Sequence, residues 1–220
     1  MNGGATSPTA AGGAVSRHTT GQRLIHWTVG ISFVALFLSG LALAYPSAFW
    51  LNVFFGGPQM MRILHPWIGV VYGAGIFLML LTWAKQMRIE PRDREWLGKV
   101  PAYARHETAD IPPSGKFNGG QKMYFWASML LAVLFVVTGI PLWFPASFGA
   151  ALLTVMRLLH FIGAVGAGLL LLMHVYLSTL ALPGTARGMI TGRVPVWWAR
   201  LHHPAWLRER GGPGATAPRE

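Results

Sequence analysis

Residues 152–182 read LLTVMRLLHFIGAVGAGLLLLMHVYLSTLAL, and the fold follows from this stretch. It holds no Asp, Glu or Lys across 31 positions, whereas about 20 apolar residues suffice for a helix to cross the hydrocarbon of a bilayer. At about 1.5 Å of rise per residue it makes a rod of about 46 Å, long enough to span the lipid and project beyond it. Two histidines interrupt the run, His160 and His174. At about 100° per residue their spacing returns them to within about 40° of one another, about 21 Å apart along the axis. The segment is therefore a spanning helix with two imidazoles on one face, at two depths.

Three further stretches meet the same criterion: residues 24–45, 62–83 and 123–143. None contains Asp or Glu, and aromatic residues gather near their ends (Trp27, Tyr45, Trp50, Trp67, Trp83, Tyr124, Trp126, Trp143), as interfacial belts require. The expected fold class is an all-α integral membrane protein, four transmembrane helices in a bundle over residues 17–208. The low-complexity tails, 1–16 and 209–220, are expected to be disordered. Composition agrees: 53% hydrophobic against 11% charged residues, with a mean hydropathy of +0.43, excludes an ordinary soluble domain. The net charge of +11 is no sign of nucleic-acid binding, because so apolar a chain lacks the soluble surface on which basic patches act.

The basic residues sort by side. Sixteen of the eighteen lie before the first span, between the second and third, or after the fourth, and only Arg62 and Arg157 lie in the other two connections. The positive-inside rule then places both termini and the 84–122 loop in the cytoplasm. Ala42-Leu43-Ala44 resembles a signal-cleavage motif, but the apolar run before it is longer than a signal core and cleavage would discard His26.

Absence of cysteine rules out disulfides, thiolate metal sites, cysteine-held iron–sulfur clusters and covalently attached c-type haem. Histidine is then the principal metal ligand on offer. Four histidines fall within spans, where an ionisable residue reads as functional by default: His26, His65, His160 and His174. Their depths pair His65 with His160 on the periplasmic side and His26 with His174 on the cytoplasmic side. Two layers of facing histidines suit two stacked haems, each iron taking two axial imidazoles. Without cysteine these are b-type haems, and bis-histidine ligation favours electron transfer over oxygen chemistry. Hydrogen-bonded helix glue and a proton relay in a haem-free transporter are the competing readings. Glue does not demand equal depths, and a transporter would show intramembrane acids or paired broken helices. His18, His106, His202 and His203 lie outside the spans and read as surface residues.

Small residues near the histidines (Gly30, Gly69, Gly73, and Gly163 to Gly168) leave room for a flat macrocycle, though small-xxx-small helix packing explains them equally. A local pattern occurs three times: Arg23-Leu-Ile-His26, Arg62-Ile-Leu-His65 and Arg157-Leu-Leu-His160. Each arginine sits one turn toward the aqueous surface on its histidine's face. Arg62 and Arg157 are expected to pair with the propionates of the periplasmic haem and Arg23 with those of the cytoplasmic one. Interfacial snorkelling is the alternative.

Taken in order, Arg23-Leu-Ile-His26-Trp27-Thr28, Gly57-Pro58-Gln59-Met60, Arg62-Ile-Leu-His65-Pro66, Gly115-Lys-Phe-Asn118-Gly-Gly-Gln121-Lys122, Leu-Leu-His160, Met173-His174-Val-Tyr176, Gly188-Met189-Ile-x-Gly192, Trp198-Ala and His202-His203-Pro204-x-Trp206 resemble the gamma, cytochrome b, subunit of respiratory formate dehydrogenases. The likeness runs from about residue 17 to 208. It departs in a longer Gly/Ala-rich amino-terminal tail and in Gly119. The resemblance implies a four-helix diheme subunit of the bacterial inner membrane. Its implied partners are an iron–sulfur beta subunit and a molybdenum or tungsten pterin catalytic alpha subunit on the periplasmic side, besides membrane lipid. Electrons would pass from formate through the clusters to the His65/His160 haem, then the His26/His174 haem, then a menaquinone or ubiquinone. Carried over by position, the quinone site falls on Asn118, Gly120 and Gln121. Those residues also read as a capping box at the head of the third span. A subunit of a nickel–iron hydrogenase or thiosulfate reductase would keep the same diheme plan with a different partner.

Overall fold

The computed structural model describes residues 13–105 and 111–211. The outer parts of both tails and His106, expected at the surface, lie outside the described residues. The elements in chain order are β1 (Ala14–Ser16), α1 (Thr20–Ala44), a 3-10 segment (Pro46–Phe55), α2 (Pro58–Trp83), α3 (Pro91–Gly98), α4 (Val100–Ala104), α5 (Gly119–Trp143), a 3-10 turn (Pro145–Ser147), α6 (Ala150–Tyr176), a π segment (Leu177–Ala181), α7 (Arg187–Thr191), β2 (Arg193–Pro195), α8 (Val196–His202) and α9 (Pro204–Glu209). Four of these are long and apolar enough to cross a membrane: α1, α2, α5, and α6 continued through the π segment to Ala181.

Three of the spanning helices, α1, α2 and α5, start about a turn earlier than hydropathy alone places them, and α6 starts two residues earlier. Thr19 explains this for α1. Its hydroxyl accepts from the Gln22 amide at 3.2 Å while the Gln22 side chain accepts from the Thr19 amide at 3.1 Å, so the polar first turn is held by a capping box. Between α1 and α2 the chain reverses through Gly56 (φ 80°) and Gly57 (φ 97°), left-handed conformations that favour glycine. Pro58 then opens α2 at a position where its missing amide hydrogen costs nothing.

α1 packs along α2 and α5 along α6, giving two antiparallel hairpins, with α2 also meeting α5. Their shared core is Tyr72, Ile76, Phe125, Met129 and Ala132, extended by Trp83 at the end of α2 and by Met87 and Phe117 beyond the helix ends. Leu, Val and Ile on the outer faces are exposed, among them Ile31, Leu81, Leu130, Leu172 and Leu180. Helices apolar all round, with exposed aliphatic faces, are what a lipid surround calls for.

Ala14–Ser16, expected to belong to a disordered tail, instead pair antiparallel with β2, Val15 opposite Val194. The order of the domain therefore begins earlier than residue 17, because those three backbones find partners in the chain's C-terminal part. Val194, Val196, Trp198, Ala199, Trp206 and Leu207 form a second, smaller core there.

Candidate haem and quinone sites

The structure brings the four intramembrane histidines together as two pairs. His65 and His160 face each other with ring centres 6.4 Å apart and planes at 60°; His26 and His174 are 6.1 Å apart at 43°. An imidazole nitrogen lies about 2 Å from a bound transition metal, so two imidazoles on opposite sides of one iron have centres about 6 Å apart. Each pair matches that span, and each draws on both hairpins. The donor set also fits: imidazoles on apolar helices, none of them paired with a carboxylate among the described residues.

Hydrogen bonds define which nitrogen each ring at the first pair presents. Ser39 Oγ lies 2.7 Å from His65 Nδ1 and 2.7 Å from the Ala35 carbonyl; Thr138 Oγ1 lies 2.8 Å from His160 Nδ1 and 2.7 Å from the Leu134 carbonyl. Two oxygens approach that closely only with a proton between them, so each hydroxyl donates to its carbonyl and accepts from the imidazole. Nδ1 therefore carries the proton in both rings, and Nε2 keeps its lone pair for a metal. Sequence reasoning missed Ser39 and Thr138. The available signal was a repeat: Ser39-Gly-Leu-Ala-Leu-Ala-Tyr-Pro46 in the first hairpin and Thr138-Gly-Ile-Pro-Leu-Trp-Phe-Pro145 in the second, each followed by Arg-x-Leu-His.

At the second pair, His26 stands edge-on to Trp27 and its Nδ1 is buried with no hydrogen-bond partner among the described residues. Tyr124 lies flat on His174, 4.7 Å between centres and 17° between planes. Below His174 the helix widens into the π segment, a feature frequent near functional sites.

The glycines divide by role. A Cβ on Gly75, Gly163 or Gly168 would come within 2.8 Å or less of Val29, Leu134 or Phe37, so these serve close packing. A Cβ on Gly30, Gly73 or Gly166 would meet nothing within 4 Å, although all three are half-buried, so each faces open space. Gly40 and Gly139 follow the two hydroxyl residues, and a Cβ there would sit 3.6 and 3.7 Å from Cε1 of His65 and His160.

Of the three arginines, Arg62 and Arg157 are exposed beside their histidines, Arg62 in a shallow cleft with Tyr45, Pro46 and Phe49. Arg23 is engaged: its Nε donates to the Met189 carbonyl at 3.1 Å and its Nη2 to the Ile190 carbonyl, with Trp27 Nε1 on Met189 at 3.0 Å. Its Nη1 makes no hydrogen bond among the described residues.

Asn118 caps α5. Its Oδ1 accepts from the Gln121 amide at 2.9 Å, and Gln121 Oε1 accepts from the Asn118 amide at 3.1 Å. Both side-chain oxygens are used by the helix end, which leaves the two NH2 groups as donors. Gly120 lies against Trp96, where a Cβ would approach the indole to 3.1 Å. α3 holds this helix end through a pair the sequence did not reveal. Asp93 and Lys122, each only 4% exposed, are 2.7 Å apart; Lys122 also donates to the Arg88 carbonyl at 3.0 Å, and Asp93 accepts from the Glu90 amide at 2.8 Å.

Two residues read as surface, His18 and His203, form the other side of the support together with Arg17. His203 is 1% exposed and His18 is buried, contrary to their expected surface placement. His203 Nδ1 donates to the Gly115 carbonyl at 2.7 Å, so its Nε2 accepts from Arg17 Nη2 at 3.2 Å; that same guanidinium donates to the Lys116 carbonyl at 2.6 Å. Trp198 and Trp206 flank Arg17 at 4.9 and 5.0 Å. Burial, then the charge on Arg17, holds His203 well below its ordinary pKa, and burial pushes His18 down to about 3. The guanidinium thus clamps the 115–117 loop, and with it the Asn118 cap, to the C-terminal helices.

Comparison with known proteins bears on this geometry. Residues 17–192 match the family described as prokaryotic cytochrome b561. The cytochrome b556(fdo) subunit of formate dehydrogenase from Escherichia coli K12 is 34% identical over 198 residues, 89% of this chain and 92% of that one. The cytochrome b556(Fdn) subunit of its nitrate-inducible formate dehydrogenase is 36% identical over 195 residues, 86% of this chain and 88% of that one. A formate dehydrogenase cytochrome b556 subunit from Haemophilus influenzae is 35% identical over 199 residues, 89% and 83% of the two chains.

Proposed function

We propose that this chain, which belongs to the prokaryotic cytochrome b561 family and there to the cytochrome b556 subunits of formate dehydrogenase, carries electrons across the membrane from an iron–sulfur subunit to a quinone through two b haems. It is a multi-pass protein of the bacterial inner membrane. The observation that carries the reading is the pair of facing imidazole couples, each spaced for one six-coordinate iron. When bound, haem supplies a one-electron couple with no open iron position.

The residues divide the work. His65 and His160 hold one haem on the periplasmic side, and His26 and His174 hold the other on the cytoplasmic side, where the positive-inside rule puts both termini. Arg62 and Arg157 neutralise propionates of the first, and Arg23, through its remaining Nη1, those of the second. At the cytoplasmic end the free amides of Asn118 and Gln121 donate to a quinone carbonyl, and Gly120 lets the ring approach the backbone. Quinone reduction there takes protons from the cytoplasm while formate oxidation outside releases them, so electrons alone need cross the bilayer. The partners are the iron–sulfur subunit and a molybdenum or tungsten pterin catalytic subunit.

The test is to purify the complex from membranes, count b haem per chain by pyridine haemochrome, and assay reduction of a quinone by formate, hydrogen and thiosulfate. Two haems with formate activity are expected. No haem ends the cytochrome reading, and two haems with activity on hydrogen or thiosulfate alone transfers the subunit to a different partner.

A further inference from the structure

Hydroxyl groups that bond the carbonyl four residues back are common in spanning helices, and Ser32 and Thr82 do so here. Ser39 and Thr138 differ because each adds an imidazole to that bond, and both are wholly buried. They occupy the same place in the repeated Ser/Thr-Gly-x-x-Leu-x-aromatic-Pro segment, one per hairpin. The site around His65 and His160 is thus built twice from one plan, and each ligand ring is oriented by a hydroxyl on the neighbouring helix. Nothing corresponding serves His26, whose Nδ1 has no partner among the described residues.

We infer that Ser39 and Thr138 are positioning residues that set the potential of the haem between His65 and His160 below that of the haem between His26 and His174. This inference rests on the haem-ligand reading above. An acceptor on Nδ1–H fixes the tautomer, stops the ring from turning about its bond to the metal, and raises the basicity of Nε2. A more basic axial ligand favours the ferric over the ferrous state and so lowers the midpoint potential. Because both ligands of one tier carry this hydroxyl while His26 in the other does not, the two tiers are chemically unequal. The difference has the sign that sends electrons from His65/His160 toward His26/His174, the direction that quinone reduction beside Asn118 requires.

The experiment is a redox titration, followed optically and by low-temperature paramagnetic resonance, of membranes carrying the whole complex with Ser39→Ala, Thr138→Val, or both. Ser39→Thr and Thr138→Ser are the variants that restore the hydroxyl. Each deletion is expected to raise one midpoint potential, that of the haem removed by His65→Ala, and the double variant to raise it further. The resonance of that haem alone should shift, and the restoring variants should return it to the wild-type position. Loss of that haem in Ser39→Ala with retention in Ser39→Thr also supports the inference. Two haems with both midpoints unchanged, a shift confined to the other haem, or equal haem loss in Ser39→Ala and Ser39→Thr overturns it. A wild-type complex without b haem would instead sink the haem-ligand reading itself.

Discussion

His26 and His174, from the first and last spanning helices, face one another across 6.1 Å, and Tyr124 lies flat against the second ring. In the proposed reading each pair would hold one haem, so removing either imidazole would take a ligand from this tier and none from the other. His174→Ala is therefore expected to abolish one of two low-spin b haems and to leave the His65/His160 haem reducible by formate but unable to pass electrons to quinone. Spectra of formate-reduced membranes check this. Retention of two low-spin haems in His174→Ala would contradict the assignment.

Which parts of this arrangement can be read from sequence follows from the length scale of each cue. Spans, their number and the meeting of His65 with His160 follow from hydropathy and from about 100° per residue, because a helix that must cross a bilayer has its depth and face set by arithmetic. Hydropathy places the start of α1 a turn late because Gln22 and Arg23 are polar, while the Thr19 cap that decides it is a local hydrogen-bond matter. The Asp93–Lys122 pair, the Arg17–His203 contact and the β1–β2 ladder join segments far apart in sequence with no period to betray them. A histidine such as His203 in a basic, proline-rich stretch reads as surface until the carbonyl of Gly115 is seen to receive its proton.

Lys122 is expected to matter more for stability than its place in a basic loop suggests. Truncating one partner of a buried pair strands the other charge, at a cost of about 3–5 kcal/mol. Lys122→Met should lower the denaturation midpoint of the complex in detergent, and adding Asp93→Leu should recover a substantial part by removing the stranded carboxylate. If the double variant were as unstable as the single one, the pair would not be the source of the loss.

Asn118→Ala removes one cap bond and one proposed quinone donor together. Loss of the cap costs about 1 kcal/mol, too little to unfold a four-helix bundle. The expected signature is a raised KM for quinone with both haems present and still reduced by formate. Asn118→Ser keeps a capping oxygen and loses the amide, so it should restore stability while leaving the KM high. Restoration of both would assign Asn118 to the helix end alone.

Arg62 and Arg157 act, in the proposed reading, by placing positive charge beside carboxylates near an electron acceptor. A cation favours the reduced state, so Arg62→Gln and Arg157→Gln should each lower the midpoint of the His65/His160 haem, by on the order of 1 kcal/mol, or about 40 mV for one electron. This is opposite in sign to the shift expected on deleting the Ser39 hydroxyl, which makes the two sets of variants mutual controls. Unchanged midpoints in both arginine variants would assign these side chains to the membrane interface.

Acid should loosen the clamp at the end of the bundle where the two chain ends meet. His18 is held at about 3 by burial first, then by the charges on Arg17 and Lys116, and His203 is held well below its ordinary value by burial and Arg17. Each titrates near 6.5 when unfolded, so the unfolded chain binds more protons than the folded one between about 3 and 6.5 for His18, and below 6.5 for His203. The stabilisation is fully present above that window and is lost as pH falls through it, at up to about 1.4 kcal/mol per pH unit for each histidine. A proton on His203 would also end the bond it accepts from Arg17 Nη2, releasing the 115–117 loop from the C-terminal helices. Hydrogen exchange of the complex, corrected for intrinsic rates, should therefore show amides of residues 14–18 and 193–207 losing protection between pH 7 and pH 5. Amides in the middle of α2 and α5 should not change. Equal protection of the clamp at both pH values would mean that the two imidazoles are not held neutral by their burial.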